Sequence, residues 1–291
     1  MANLKEIRTR ILSVNSTRQI TAAMKMVSAA KLRKAQNAIL ELRPFAGKLH
    51  EILGRVLNSS DDIETNPFTR KGKVERALIV LIASNRGLCG AFNVNAVKKA
   101  IELIENRYPT HFENKKIEII TIGKKANDVL KARRININES RHDIFEKLNF
   151  KNVSELAEGI MTSFTEGRID EVFLVYNEFK NVAVQLLTAE QFLPVKIESS
   201  NSKFESDYIF EPDQEQIIEK LIPYALKIQF YKAILESNAS EHGARMTAMH
   251  KATDNATDLL RELKLKYNKA RQAAITNEIL EIVGGAEALK G

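Results

Sequence analysis

Tryptophan is absent from this chain of 291 residues, and cysteine occurs once, at Cys89. A single cysteine can form neither an internal disulfide nor a cysteine-based zinc site, and such usage fits a reducing compartment. Cys89 reads as a small packed residue beneath a turn. No apolar run reaches the roughly 18–20 residues that a membrane-spanning helix needs. The N-terminal MANLKEIRTR lacks the apolar stretch of a secretory signal, and periodicity begins by Leu4, so no removable leader is expected. The spacings G-x-S-x-G, C-x-x-C and H-E-x-x-H are missing. Of the five histidines, His242 and His250 share a helix eight residues apart, with Met246 between them where a ligand would be needed. No acidic pair is singled out for acid–base work. These absences argue against a catalyst and against a metal site.

Proline is scarce, and where it is missing the chain is helical. Leu4, Ile7, Ile11, Val14, Thr21, Ser28, Leu32, Ala35, Ile39, Leu42, Leu49, Leu53 and Val56 recur at alternating spacings of three and four, the heptad pattern of a coiled coil. No proline precedes Pro44, so a helix of about 40 residues, about 60 Å, is allowed before it. Arg18, Thr21, Lys25 and Ser28 occupy seam positions where a stable two-stranded coil wants leucine. The C-terminal part repeats the theme. Leu221, Ala225, Ile228, Leu235, Ala239, His242, Met246, Met249, Ala256, Leu260, Leu263, Tyr267, Ala270 and Ala274 keep the same spacing, with no proline from 224 to 283. Small and polar residues dominate that seam from 238 to 257. Two helices alike in period but far apart in sequence are expected to pair antiparallel. A seam so poor in apolar area predicts that something else surrounds the pair.

Charge is uneven. The chain carries net +7, yet residues 1–56 alone hold eleven Lys/Arg against three Glu, a net +8, which leaves the rest near neutral. A basic helix of this kind faces nucleic acid, anionic lipid or an acidic protein surface.

Between the helices the texture changes. ALIVLIA (77–83), IEIITIG (117–123) and VFLVYNEF (172–179) are β-branched runs that alternate with helical segments 96–107, 124–133 and 153–166. This alternation predicts a parallel α/β sheet with covering helices. AVQLLTAEQFLPV (183–195), reached through Lys180-Asn181, reads as an antiparallel edge strand. The predicted organisation is an N-terminal coiled-coil helix over 1–57, an α/β domain over 74–197 and a C-terminal coiled-coil helix over 212–285.

SNRGLCGAFN (84–93) sits between a strand and a helix, where many proteins hold a phosphate. A P-loop needs G-x-x-x-x-G-K-[ST], and here Gly87 and Gly90 are followed by Ala-Phe-Asn. The dinucleotide fingerprint needs a third glycine. The loop reads as a tight turn allowed by its glycines.

Three stretches carry a family resemblance: IRTRILSVNSTRQITAAMKMVSAAKLRKA (7–35), SNRGLCGAFN itself, and ESNASEHGARMTAMHKATDNA (236–256) followed by ITNEILEIVGGAEAL (275–289). They resemble the γ subunit of the F-type rotary ATP synthase, in its bacterial form, over nearly the whole chain. The pattern I-T-x-E-x-x-E-x-x-x-G-A-x-A over 275–288 is specific.

The resemblance implies an α/β fold built as a long antiparallel coiled coil plus a central Rossmann-like domain that binds no nucleotide. It implies a central-stalk rotor that is not itself an enzyme and carries no cofactor or metal. Its partners would be the α and β subunits of the catalytic hexamer, the ε subunit and the c-ring, with no nucleic acid and no membrane span of its own. The location implied is peripheral, on the cytoplasmic face of the inner membrane. Arg271, Gln272, Thr276 and Glu278 are implied as contacts to a β-subunit loop. Met24 and Lys25 would face acidic β loops from the N-terminal helix, with Arg245 in a related role. Tyr208 and Glu211 would face the c-ring. The chain carries Asn85 where many members have an acidic residue. It also lacks the two-cysteine segment of the chloroplast redox switch. The residues alone leave a second reading open: a coiled-coil scaffold or adaptor whose α/β domain binds a small ligand.

Overall fold

A computed structural model describes residues 4–58, 66–70, 72–109, 116–195 and 214–288. The chain divides into two compact units, Met1–Ser28 with Met246–Gly291, and Ala29–Arg245.

Two helices bracket the sequence: α1 (Leu4–Asn58) and α5 (Gln214–Ala288). Between them come β1 (Ala77–Ile82), α2 (Phe92–Arg107), β2 (Ile117–Ile122), α3 (Lys124–Ala132), β3 (Glu139–Arg141), α4 (Phe150–Thr165), β4 (Glu171–Phe179) and β5 (Gln185–Leu193). Neither long helix stops at its proline: Pro44 lies inside α1 and Pro223 inside α5. A proline in a helix interior costs about 3 kcal/mol. Beyond Pro44, Leu49, Leu53 and Val56 are buried. Burying each such side chain stabilises by about 1.5–3 kcal/mol, so the helix continues.

In the Ala29–Arg245 unit the sheet runs in the order β3-β2-β1-β4-β5. β1 is parallel to both β2 and β4, β2 is parallel to β3, and β5 is antiparallel to β4. The edge strand expected over 183–195 is therefore present. β3 was not foreseen, because Glu-Ser-Arg offers no apolar alternation; main-chain pairing with β2 holds it, with Asn127 Nδ2 donating to Ser140 Oγ at 3.2 Å. Every residue of β1 is buried, as a strand covered on both faces requires. Leu78, Val80 and Ile82 face a core shared with α1, α4 and α5; Ile79 and Leu81 face α2 and α3. Arg43 of α1 meets Glu236 of α5, while Lys31, earlier in α1, lies near Glu241, later in α5. The two helices are thus antiparallel here.

The other unit comprises the first part of α1 and the last part of α5. Thr21, Ser28, Met249, Ala256, Leu260 and Leu263 are buried in it, and Thr253 Oγ1 donates to Thr21 Oγ1 at 2.9 Å. All the heptad positions read from the sequence in both helices are buried or half-buried.

Candidate functional site

The glycine loop leaves β1 and enters α2, which starts at Phe92, four residues earlier than the periodicity indicated. Asn93 explains the early start. Its Oδ1 accepts the Ser84 backbone N–H at 2.9 Å, and its Nδ2 donates to Cys89 Sγ at 3.2 Å. Loop and helix are stitched together before the apolar periodicity begins. Of the two glycines only Gly90 is left-handed, at φ 61°; the second left-handed residue is Leu88, at φ 62°. A non-glycine residue persists there only where its surroundings over-determine it.

Those surroundings are this chain's own side chains. Arg245 of α5 donates to Arg86 O at 2.9 Å and to Gly87 O at 3.3 Å, and pairs with Glu241 at 2.7 Å. Asn85 donates from Nδ2 to His142 O at 2.8 Å and accepts the Lys124 N–H at 3.1 Å. A carboxylate at that position could accept from Lys124 but could not donate to His142 O. The departure at Asn85 is therefore used inside the chain. Cys89 is buried and its thiol is pushed up by that burial, a packed residue rather than a nucleophile.

Electrostatics around Arg245 follow from burial. The Glu241 carboxyl is pushed above its usual range by desolvation, against the pull of Arg245, Lys31 and Arg86. His242 is lowered to about 4 by burial and by repulsion from Arg245 and Lys31, so it is neutral at pH 7. A second buried carboxylate, Glu171, is bound by Arg107 and by the Tyr108 hydroxyl. Both networks are internally paired. Among the described residues no group of three His, Cys, Asp or Glu is placed to hold a metal ion. Likewise, no described helix is long and apolar enough to cross a membrane.

The residues implied as partner contacts fall in separate places. Arg271, Gln272, Thr276 and Glu278 are all exposed on α5. Arg271 and Glu278 lie seven residues apart on one side of it; Gln272 and Thr276 lie four apart on the next, joined by Thr276 Oγ1 donating to Gln272 O at 2.9 Å. Exposed Ile275, Ile279, Leu280, Ile282 and Val283 surround them. Met24 and Lys25 are half-buried on α1, close in sequence to Thr21. Thr21 meets Thr253, which precedes Arg271 by about 27 Å of helix. Arg245 is buried and bonded to the glycine loop. Tyr208 and Glu211 lie outside the described residues.

Sequence reading missed Glu236 and Arg43. The signal was a lone acid in the apolar run FYKAILES, which a coiled-coil surface does not explain.

Comparison with known proteins gives consistent results. A family model described as ATP synthase matches residues 3–289. The chain is 54% identical to an ATP synthase gamma chain of Flavobacterium psychrophilum over 292 residues, covering 100% of both chains. It is 52% identical to one from Cytophaga hutchinsonii, over 99% of each. Among solved structures it is similar to a chain of the Euglena gracilis mitochondrial ATP synthase, described as OSCP/F1/c-ring. The TM-score is 0.70 at 25% identity, covering 98% of this chain and 94% of the other. It is also similar to a chain of the Tetrahymena thermophila mitochondrial ATP synthase, described as central stalk/c-ring. There the TM-score is 0.61 at 25% identity, over 80% and 99%.

Proposed function

The chain belongs to the ATP synthase gamma family, and from that premise we propose how its surface engages the rest of the complex. It is a non-catalytic central-stalk subunit that transmits rotation, driven by ion flow, to the sites of ATP synthesis. Full-length similarity to gamma chains decides between this rotor and the scaffold reading.

The proposed contacts are these. Residues 1–57 and 212–285 serve as the shaft and 74–197 as the body. The α and β subunits of the hexamer surround the shaft, ε and the c-ring hold the foot, and the assembly sits on the cytoplasmic face of the inner membrane. Tyr208 and Glu211 are assigned to the c-ring contact on the family resemblance. Arg271, Gln272, Thr276 and Glu278 engage β, with Met24 and Lys25 meeting acidic loops lower on the shaft. Arg245 acts on β indirectly, by fixing the glycine loop.

The observation that carries this reading is the exposed end of α5. Ile275 is 47% exposed, one turn beyond Arg271 and Gln272, and the apolar row continues through Ile279 at 55% and Ile282 at 71%. An apolar stripe with a polar flank fits a sleeve that covers it. A rotor must release each contact as it turns, so the contacts should be modest and orientation-dependent. Charge-assisted hydrogen bonds from Arg271 would contribute about 1.5–3 kcal/mol.

The test is Arg271→Ala with Gln272→Ala in the purified complex. ATP turnover should fall several-fold at normal subunit stoichiometry. Normal turnover with normal assembly would remove these residues from the coupling path; lost assembly would make them structural.

A further inference from the structure

In an open α/β sheet, ligands bind beyond the carboxyl ends of the strands, where connections depart in opposite directions. Here that point lies between β1 and β4, which lead outward to β2 and β5 respectively. The loops bordering it are 83–91 and 180–184. Both are occupied by α5 of the same chain. Arg245 binds the carbonyls of Arg86 and Gly87 in the first loop. Gly243 lies against the second: a Cβ built there would stand 3.6 Å from the Phe179 ring and from Val182 O. About two turns earlier, the Glu236 side chain is 0% exposed. Its carboxylate accepts the Phe179 backbone N–H at 2.9 Å, Arg43 Nε at 3.0 Å and Arg43 Nη2 at 3.1 Å. Arg43 Nη2 also donates to Phe179 O at 2.8 Å.

A single carboxylate therefore joins three elements: α1 through Arg43, the end of β4 through Phe179, and α5 through Glu236 itself. Most of the remaining contact between these helices and the sheet is apolar, through Leu226, Phe230, Ala233 and Ile234, with one neutral donor, Gln229 Nε2, reaching Glu190 Oε1 of β5 at 2.7 Å. Apolar contact is non-directional and does little to oppose sliding of a helix along or around its own axis. Directed, charge-assisted hydrogen bonds do fix register. A buried charge whose partner is removed is strongly unfavourable, so the arrangement has no neighbouring register of comparable stability.

We propose that Glu236, held by Arg43 and the Phe179 amide, is a positioning residue that locks both shaft helices to the α/β body, so that torque applied to the body reaches the shaft without slip. The α5 segment 236–245 takes the place a ligand holds in other sheets of this order, and the crevice becomes a mechanical joint. This inference rests on the rotor reading.

The experiment measures ions transported per ATP hydrolysed in membrane vesicles bearing the assembled complex. Variants are Glu236→Gln, Arg43→Gln and Arg43→Lys. Glu236→Gln keeps an acceptor for the Phe179 N–H but turns an amide donor toward the guanidinium. Arg43 has a partly exposed side chain, so its replacement perturbs folding less than a change at Glu236. The ratio should fall several-fold in both Gln variants at normal subunit stoichiometry, with Arg43→Lys closer to the unmodified complex. An unchanged ratio in assembled Gln variants overturns the proposal. So does loss of assembly in both, because the joint would then be a folding contact only. A low ratio in the unmodified complex would instead contradict the rotor reading itself.

Discussion

Thr253 on α5 donates a hydrogen bond to Thr21 on α1 at 2.9 Å, hydroxyl to hydroxyl, at a seam position where a coiled coil would place leucine. The Thr21 hydroxyl in turn donates to Arg18 O at 3.0 Å. The polar groups are satisfied, but little apolar area is buried, so pairing alone stabilises this unit weakly. Amides over 10–28 and 246–274 should therefore exchange fast in the isolated chain and become protected inside the assembled complex. Hydrogen exchange with and without the partner subunits measures this. Equal protection in both would show that the coil is stable by itself.

His242 makes stability depend on pH. Its surroundings are Arg245, Lys31 and the Glu241 carboxyl. Its folded pKa, about 4, lies below the usual 6.5. The unfolded chain takes up a proton below about pH 6.5 while the folded chain does not, so stability is full above that pH and is lost as pH falls toward about 4. After discounting for partial exposure the loss is on the order of 2 kcal/mol. Glu241 acts with the opposite sign above pH 4.5, since its raised carboxyl takes a proton first in the folded state, and it offsets part of the decline. His242→Gln should flatten the decline between pH 6.5 and 4. Urea midpoints near pH 7 and near pH 5 for both proteins check it; identical slopes would contradict the assignment.

The glycines around the loop differ sharply in what they tolerate. Gly123 has φ 107°, and a Cβ there would stand 2.3 Å from Ala83 O. Backbone strain and a backbone clash combine, so Gly123→Ala should cost about 3 kcal/mol or more. Gly90, left-handed but with open space around it, should cost about 1 kcal/mol. Gly87→Ala, with the Lys125 Cε at 4.0 Å as its nearest neighbour, should change little. Denaturant midpoints should follow that order.

Much of this was legible in the sequence. Heptad spacing located both seams because helix periodicity survives even where the seam is polar, as at Thr21 and Ser28. The strands of the sheet interior were legible because burial on both faces demands continuous apolar runs such as ALIVLI. β3 was not, because Glu139–Arg141 has no apolar residue and is held by backbone pairing and a hydrogen bond from Asn127 to Ser140. The start of α2 was hidden in Asn93, whose role depends on a hydrogen bond across a turn. Arg245 and Glu236 were harder still. A charged residue on a long helix looks solvent-facing until the fold brings Arg43, Phe179 and the glycine loop against it.

The central claim is that this chain turns as a unit inside a catalytic ring. Cys89 is 2% exposed, so Lys98→Cys, at an exposed position of α2, would take a label selectively. The measurement fixes the β subunits of a purified complex to a surface, attaches a bead through that cysteine and adds ATP. The account predicts sustained rotation in one direction that stops when ATP is removed. Full ATP hydrolysis beneath a bead that only fluctuates about one orientation would contradict it.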